Sequence, residues 1–304
     1  MSQGTPSASL PNFFLLGAAK AGTTTLHELL RLHPQVWLPF DKEPMFFSRD
    51  EQYKRGVDWY VQTYFRRAAD FAARGESTPH YLYWAGKVSA RLAAVYAKRP
   101  VKFLLVLRDP TERAYSWYWN MVRDGLEDLP FLQALHAEDA RLQEQRDVLE
   151  AKGSMQFGYI RGGCYAAQLR EYLERFPREA FHIELLEDLK AAPDKVMRRV
   201  CAFLEIDDSF SFRPNRANPA SMPRSRLAHD TLRGPSTVKS LLKLVLPEAL
   251  RYRMRVFLTE ANLREEAYPD MEPEARQYLG ERFATEIQAL AKILRRDLSA
   301  WSRA

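Results

Sequence analysis

The sequence predicts an α/β fold: a central parallel sheet flanked by helices, with a P-loop-like phosphate-binding turn and helical insertions. Three observations predict it. Apolar runs of strand length alternate with stripes at helical spacing. The first run ends in a turn bracketed by Gly17 and Gly22, which leads straight into a helical pattern. The clearest later run, residues 100–107, leads into another helix through Asp109-Pro110. Strands that alternate with helices pair in parallel, and the crossover helices cover both faces of the sheet.

Taken in order, Asn12-Phe13-Phe14-Leu15-Leu16-Gly17 is a short continuous apolar run, the pattern of a buried strand. Thr23 to Arg31 reads as a helix because Leu26, Leu29 and Leu30 share a face, and His33-Pro34 ends it. Gln35 to Leu38 reads as a second strand. Residues 100–107 form the strongest strand; Asp109 can cap the following helix and Pro110 can take its first position. That helix carries Ala114, Trp117 and Tyr118 on one side, and residues 128–152 are helical and highly charged. Tyr165, Leu169, Tyr172, Leu173 and Phe176 mark a helix, residues 181–186 alternate like a strand, and Val196, Met197, Val200, Phe203 and Leu204 mark another helix. Residues 214–235, rich in Pro, Arg, Asn and Ser, read as a loop; residues 273–298 read as a terminal amphipathic helix. No linker interrupts the pattern. The expectation is one domain over residues 1–304, with a core at about 12–230 and a helical region at 236–304.

The 304 residues are 46% apolar, enough for a full core, and a charged fraction of 28% excludes a disordered tail protein. Forty-five Lys and Arg against 39 Asp and Glu leave a net charge of +6. That balance suits an anionic ligand and is too mixed to demand nucleic acid. Two cysteines, Cys164 and Cys201, exclude a disulfide framework and a four-cysteine zinc site, and they point to a reducing compartment. The first ten residues lack the basic and apolar regions of a secretory leader, and no apolar stretch reaches the roughly 20 residues of a membrane span. The expected location is cytoplasmic.

The chemistry concentrates in two turns. Gly17-Ala18-Ala19-Lys20-Ala21-Gly22-Thr23-Thr24-Thr25 lies between the first strand and first helix. Such a turn aims backbone N–H groups at an anion, with the helix N-terminus behind them. Lys20 adds a point charge, and the threonines add hydroxyl donors. Neither familiar template fits. A Walker A loop needs Lys where Thr23 stands, and a dinucleotide-binding turn needs Gly where Ala19 stands. The second turn is Leu107-Arg108-Asp109-Pro110-Thr111-Glu112-Arg113-Ala114-Tyr115-Ser116. Arg108 sits at a strand's C-terminal end, where open α/β sheets bind ligands. Arg113 precedes Ser116 by three residues, so the spacing puts a guanidinium and a hydroxyl on one face, a good phosphate site. The alternative is that both arginines pair with Asp109 and Glu112 at the surface.

The pairing of G-x-x-K-x-G-T-T with L-R-D-P-x-x-R-x-x-S-x-Y resembles the sulfotransferases that use 3′-phosphoadenosine 5′-phosphosulfate (PAPS). It is most similar to their carbohydrate branch, the heparan sulfate-like enzymes and their bacterial relatives. The resemblance runs from about residue 12 to about residue 230. It implies that Lys20, Ala21, Gly22, Thr23 and Thr24 bind the 5′-phosphosulfate, that Arg108 and Ser116 hold the 3′-phosphate, and that Tyr165 lies near the nucleotide. It also implies a basic loop closing over the donor, whose counterpart is Pro223-Arg224-Ser225-Arg226. The heparan-type lysine-glycine-arginine sequence is absent there. The product would be PAP.

Sulfuryl transfer asks for positioning and electrostatic stabilisation, as phosphoryl transfer does. Lys20 is placed to stabilise the departing oxygen. The reaction asks for no metal, and the six histidines are scattered. A base must take the acceptor proton. Glu43, in Lys42-Glu43-Pro44-Met45-Phe46-Phe47, matches the family's Glu-x-x-Phe-Phe pattern; its other reading is a surface carboxylate paired with Lys42. His80 is the alternative base. Glu76-Ser77 stands where heparan-type enzymes have Glu-Lys, and Glu76 could line the acceptor site. Trp59, Tyr60, Tyr64, Tyr81, Tyr83, Trp84, Trp117, Tyr118 and Trp119 could stack on an acceptor or pack in the core. The expected partner is a sulfate acceptor, a glycan, lipid or small molecule, and not nucleic acid. Two other functions compete: a divergent nucleotide kinase, and a non-catalytic protein that binds membranes through the basic amphipathic stretch 236–257.

Overall fold

A computed structural model describes residues 9–40, 42–212 and 268–302, together with the backbone of 222–223 and 263–264. The expected loop at 214–235, with Arg224, lies outside the described residues apart from the backbone of 222–223, and the stretch 236–257 lies outside them altogether.

Five strands form a parallel sheet: β1 (Phe13–Gly17), β2 (Val36–Trp37), β3 (Ala73–Ser77), β4 (Lys102–Leu107) and β5 (Phe181–Leu185). Their order is β2-β3-β1-β4-β5. The chain moves from β1 to one side for β2 and β3, then to the other side for β4 and β5. The C-terminal ends of β1 and β4 therefore flank a topological switch point, the place where open α/β sheets leave a crevice.

Side chains alternate along the central strands and build a core on each face. Phe13 and Leu15 of β1, with Leu104 and Val106 of β4, meet α1 (Thr23–Arg31) and α11 (Pro193–Leu204). Phe14, Leu16, Phe103 and Leu105 join the larger core on the opposite face. That core receives α3 (Gly56–Tyr64), α5 (Ala85–Tyr96), α6 (Pro110–Arg123), α7 (Phe131–Glu144) and α9 (Tyr165–Leu173). Smaller helices fill the gaps: α2 (Asp50–Tyr53), α4 (His80–Tyr83), α8 (Arg146–Lys152) and α10 (Leu186–Ala191). The final helix, α12 (Pro273–Leu294), packs on α9, α6 and α7. Among the described residues, no helix is long and apolar enough to cross a membrane.

Within the described residues the expected strands and helices fall close to where the patterns put them, with α1 at its expected bounds; β2 and β4 are shorter than their runs, and the terminal helix stops at Leu294 rather than 298. Asp109 caps α6 as its sequence predicts: Oδ1 accepts from the amides of Thr111 (2.8 Å) and Glu112 (3.5 Å), with Pro110 in the first turn. A cap of this kind contributes about 1 kcal/mol. The charged segment 128–152 divides at Gln145 into α7 and α8. β3 carries no strand signal, since Ala73-Arg74-Gly75-Glu76-Ser77 contains no apolar run. It enters the sheet because Gly75 leaves room for the Phe13 ring; a Cβ there would stand 2.0 Å from Phe13 Cζ.

Candidate active site

β1 delivers the first turn and β3 the loop opposite it. Gly22 begins α1 with φ 93°, and a Cβ on it would lie 2.7 Å from Leu186 Cδ1, so only glycine fits. The α1 N-terminus has no side-chain cap and no acidic residue in its first turn. Its leading N–H groups and its dipole are thus left for an anion. Ala21 and Thr23 are buried, while Thr24 reaches solvent.

A cavity of about 400 Å³ opens in front of this turn, lined by Lys20, Thr23, Thr24, Lys42, Glu43 and His80 on one side and by α6 residues Trp117 and Asn120 on another. Lys20 (φ 69°) donates from Nζ to Asn120 Oδ1 at 3.3 Å. Burial lowers the Lys20 pKa to about 8, assisted by the nearby cations Arg123, Arg108 and Lys42 and opposed by Asp124. A cation this poorly solvated gains most from an anionic ligand. Asn120 also accepts from Arg123 Nη2 at 2.8 Å, so one amide holds both cations. Asn120 was not singled out from sequence, although it lies four residues after Ser116 and hence on the same face of α6.

Glu43 lines the same cavity. His80 Nδ1 is 3.7 Å from Glu43 Oε2, and Lys42 Nζ is 3.7 Å from Glu43 Oε1. The pairing with Lys42 therefore exists, but inside the cavity wall. Lys42 also donates to Thr24 Oγ1 at 2.7 Å and so links the base loop to the phosphate turn. Burial keeps the His80 pKa below the ordinary histidine value, with Glu43 opposing and Arg49 and Lys42 assisting.

The second turn meets the first directly. Arg108 Nη1 donates to the Lys20 carbonyl at 3.4 Å, and Nη2 to Glu112 Oε2 at 3.4 Å. Arg276 of α12 donates to the other Glu112 oxygen at 2.8 Å. Ser116 is largely buried on α6. Tyr165 is fully buried at the start of α9, close enough for Arg113 and Arg108 to favour its ionised form against the larger opposing effect of burial.

Two expectations are corrected. Arg113 does not stand with Ser116. It is fully buried and donates from Nη2 to the carbonyls of Gly158 (3.2 Å) and Tyr159. Spacing of three residues brings Cα atoms to one face, but a long side chain can turn into the core. Glu76 does not line an acceptor site: its exposure is 0%, and it accepts from the hydroxyls of Tyr60 and Thr78 (2.7 Å). Burial pushes it up to about 7, against the hydrogen bonds from Tyr60, Tyr81 and Thr78. Most of the aromatic residues near the motifs are core: Tyr60, Tyr81, Tyr83, Trp84, Trp117 and Tyr118 are buried, and Trp117 also lines the cavity.

An open parallel sheet with two cationic turns at its switch point, facing a carboxylate and a histidine, is the kind of crevice in which α/β proteins bind anionic ligands. Residues 10–229 match the sulfotransferase domain family, and the chain belongs to that family. The chain is 25% identical over 295 residues to a bifunctional heparan sulfate N-deacetylase/N-sulfotransferase 1 of Caenorhabditis briggsae, covering 95% of this chain and 30% of the relative. It is 29% identical over 206 residues to the heparan sulfate glucosamine 3-O-sulfotransferase 5 of Mus musculus, covering 66% of this chain and 55% of the relative. The chain thus spans between about a third and about half of these relatives. The crystal structure of a sulfotransferase from Alicyclobacillus acidocaldarius superposes with a TM-score of 0.70 at 28% identity, covering 97% of this chain and 99% of that one. Family membership favours the sulfuryl over the phosphoryl reading of the two turns.

Proposed function

We propose that the chain moves the sulfuryl group of PAPS to a hydroxyl or amine of a glycan. The contact between the two turns carries this reading: Arg108 reaches the Lys20 carbonyl at 3.4 Å, so both cations front one crevice at the ends of adjacent strands. The residues fit the donor. An uncapped helix N-terminus and a desolvated ammonium suit the phosphosulfate, while Arg108 and Ser116 suit the 3′-phosphate. The similar proteins are named as a heparan sulfate N-sulfotransferase and a heparan sulfate glucosamine 3-O-sulfotransferase, which favours a glycan acceptor.

In the reaction, Glu43 takes the proton from the acceptor oxygen or nitrogen as that atom bonds to sulfur. Lys20 stabilises the bridging oxygen as its bond to sulfur breaks and PAP forms. Lys42, 3.7 Å from the Glu43 carboxylate, holds it at the cavity wall. Fixed cations in a poorly solvated crevice act without reorganising, which is where most of the acceleration arises.

The test incubates the protein with ³⁵S-labelled PAPS and, separately, heparosan, de-N-acetylated heparosan, a glycolipid and a simple phenol. Label on a polysaccharide supports the proposal. Label on the lipid or phenol alone would replace the acceptor, and no transfer together with no PAP binding by calorimetry would overturn the donor as well.

A further inference from the structure

Beneath the Glu43 loop lies a buried polar cluster that the reaction does not use. Glu76, at the end of β3, accepts from Tyr60 of α3 and from Thr78 Oγ1 (2.7 Å), and the Tyr81 hydroxyl faces the same carboxyl group. The same two hydroxyls also receive the loop. Thr78 Oγ1 accepts from the amide of Met45 at 3.4 Å, and Tyr81 Oη accepts from the amide of Phe47 at 3.0 Å. A third contact ties the loop to the strand, from the Glu43 amide to the Ser77 carbonyl at 3.1 Å. Phe46 stacks on Tyr60, with centroids 4.3 Å apart. The loop needs such holding: Glu43 (φ 65°) and Met45 (φ 56°) both have left-handed backbones, which non-glycine residues adopt at a cost.

We infer that Glu76 is a positioning residue for the reaction, acting through the Thr78 and Tyr81 hydroxyls to fix the loop that carries Glu43. The inference rests on the reading of Glu43 as the base. Glu76 accepts from the Thr78 hydroxyl and faces that of Tyr81, so as an acceptor it draws the protons of both hydroxyls downward. Their lone pairs then face the loop, where the Met45 and Phe47 amides donate. An amide at position 76 would donate into one hydroxyl, turn that proton toward the loop and set it against a backbone N–H. The buried network would lose a bond it cannot replace with water.

The test compares Glu76→Gln, Glu43→Gln and the double variant. Hydrogen exchange of the segment 42–48 needs no acceptor: Glu76→Gln should speed it by about tenfold while β1 and β4 exchange as in the parent, since local opening is set by local contacts. Turnover is measured with ³⁵S-labelled PAPS and de-N-acetylated heparosan. Glu76→Gln should lower kcat on the order of 10- to 100-fold, with little change in KM for PAPS. In the Glu43→Gln background it should cost nothing further, because it acts through Glu43. Unchanged exchange at 42–48, or the same loss in both backgrounds, would overturn the inference. Full turnover by Glu43→Gln would instead remove the base assignment, and exchange would still decide whether Glu76 fixes the loop. Should Glu76→Gln fail to fold, Tyr81→Phe removes the acceptor of the Phe47 amide together with one hydroxyl facing Glu76; it too should speed exchange at 42–48, and parent-like exchange would count against the relay.

Discussion

The two cationic turns occupy equivalent places, at the C-terminal ends of neighbouring parallel strands, but keep their charges differently. Lys20 is desolvated, left-handed in backbone and bonded from Nζ to a neutral amide oxygen, and its pKa falls to about 8. Arg108 rests against the carboxylate of Glu112, which Arg276 holds from α12. One cation is kept hungry and the other is kept compensated. A charge that must respond as a bond breaks gains from the first arrangement, and a charge that only anchors a ligand gains from the second. On the proposed reading the first turn serves chemistry and the second binding.

The sharpest way to break this comparison is Lys20→Ala. If Lys20 stabilises the leaving oxygen, kcat should fall by about 100- to 1,000-fold, the size of losing one such donor. PAP affinity should change far less. Thermal unfolding should show a fold as stable as the parent, because burying the ammonium is itself unfavourable. Equal losses in kcat and in PAP affinity would make Lys20 an anchor like Arg108.

The pH dependence gives the next largest effect. Lys20 is charged below about pH 8 and loses its proton above it. The kcat/KM for PAPS should therefore decline on the alkaline side, by about tenfold per unit once past the pKa of the free enzyme. In Lys20→Arg the guanidinium stays protonated, so this limb should vanish even though the different shape lowers the plateau. An identical limb in the variant would assign the titration to another group.

Arg108→Ala should act on the other side of the comparison. If Arg108 holds the 3′-phosphate, the change removes charge-assisted hydrogen bonds, and PAP binding by calorimetry should weaken by about 10- to 100-fold. With saturating PAPS, kcat should stay within about threefold of the parent, as expected when ground state and transition state lose the same contact. A collapse of kcat at saturation would show that the two turns share the chemical step.

What the sequence made legible follows from how local each feature is. β1, its turn and α1 are read from contiguous residues, and the Asp109 cap depends on amides two and three positions away. The pairing of Glu43 with Lys42 was readable for the same reason, but its position inside the cavity was not. β3 was hidden because its burial comes from Phe13 lying over Gly75, a contact between segments about sixty residues apart. Arg113 was misplaced because helical spacing locates a Cα and says little about where a long side chain ends. Glu76 reads as an ordinary polar residue, and only the packing of Tyr60, Thr78 and Tyr81 around it shows the burial. Asn120 could have been found, since it repeats the Ser116 face one turn later.

The smallest expected effect probes the compensation itself. Glu112 and Arg108 are partly exposed, at 24% and 36% of their side chains for Arg108 and Glu112, and meet at only 3.4 Å. Such a pair contributes little and is screened by salt. In Glu112→Gln, Arg108 loses a competitor for the incoming phosphate, and Arg276 loses the partner that ties it to α6. PAP should then bind about two- to threefold more tightly at low salt, with the gain shrinking as salt rises. Weaker binding would carry the opposite message. Glu112 would be aiming Arg108 rather than competing for it, and the second turn would be as preorganised as the first.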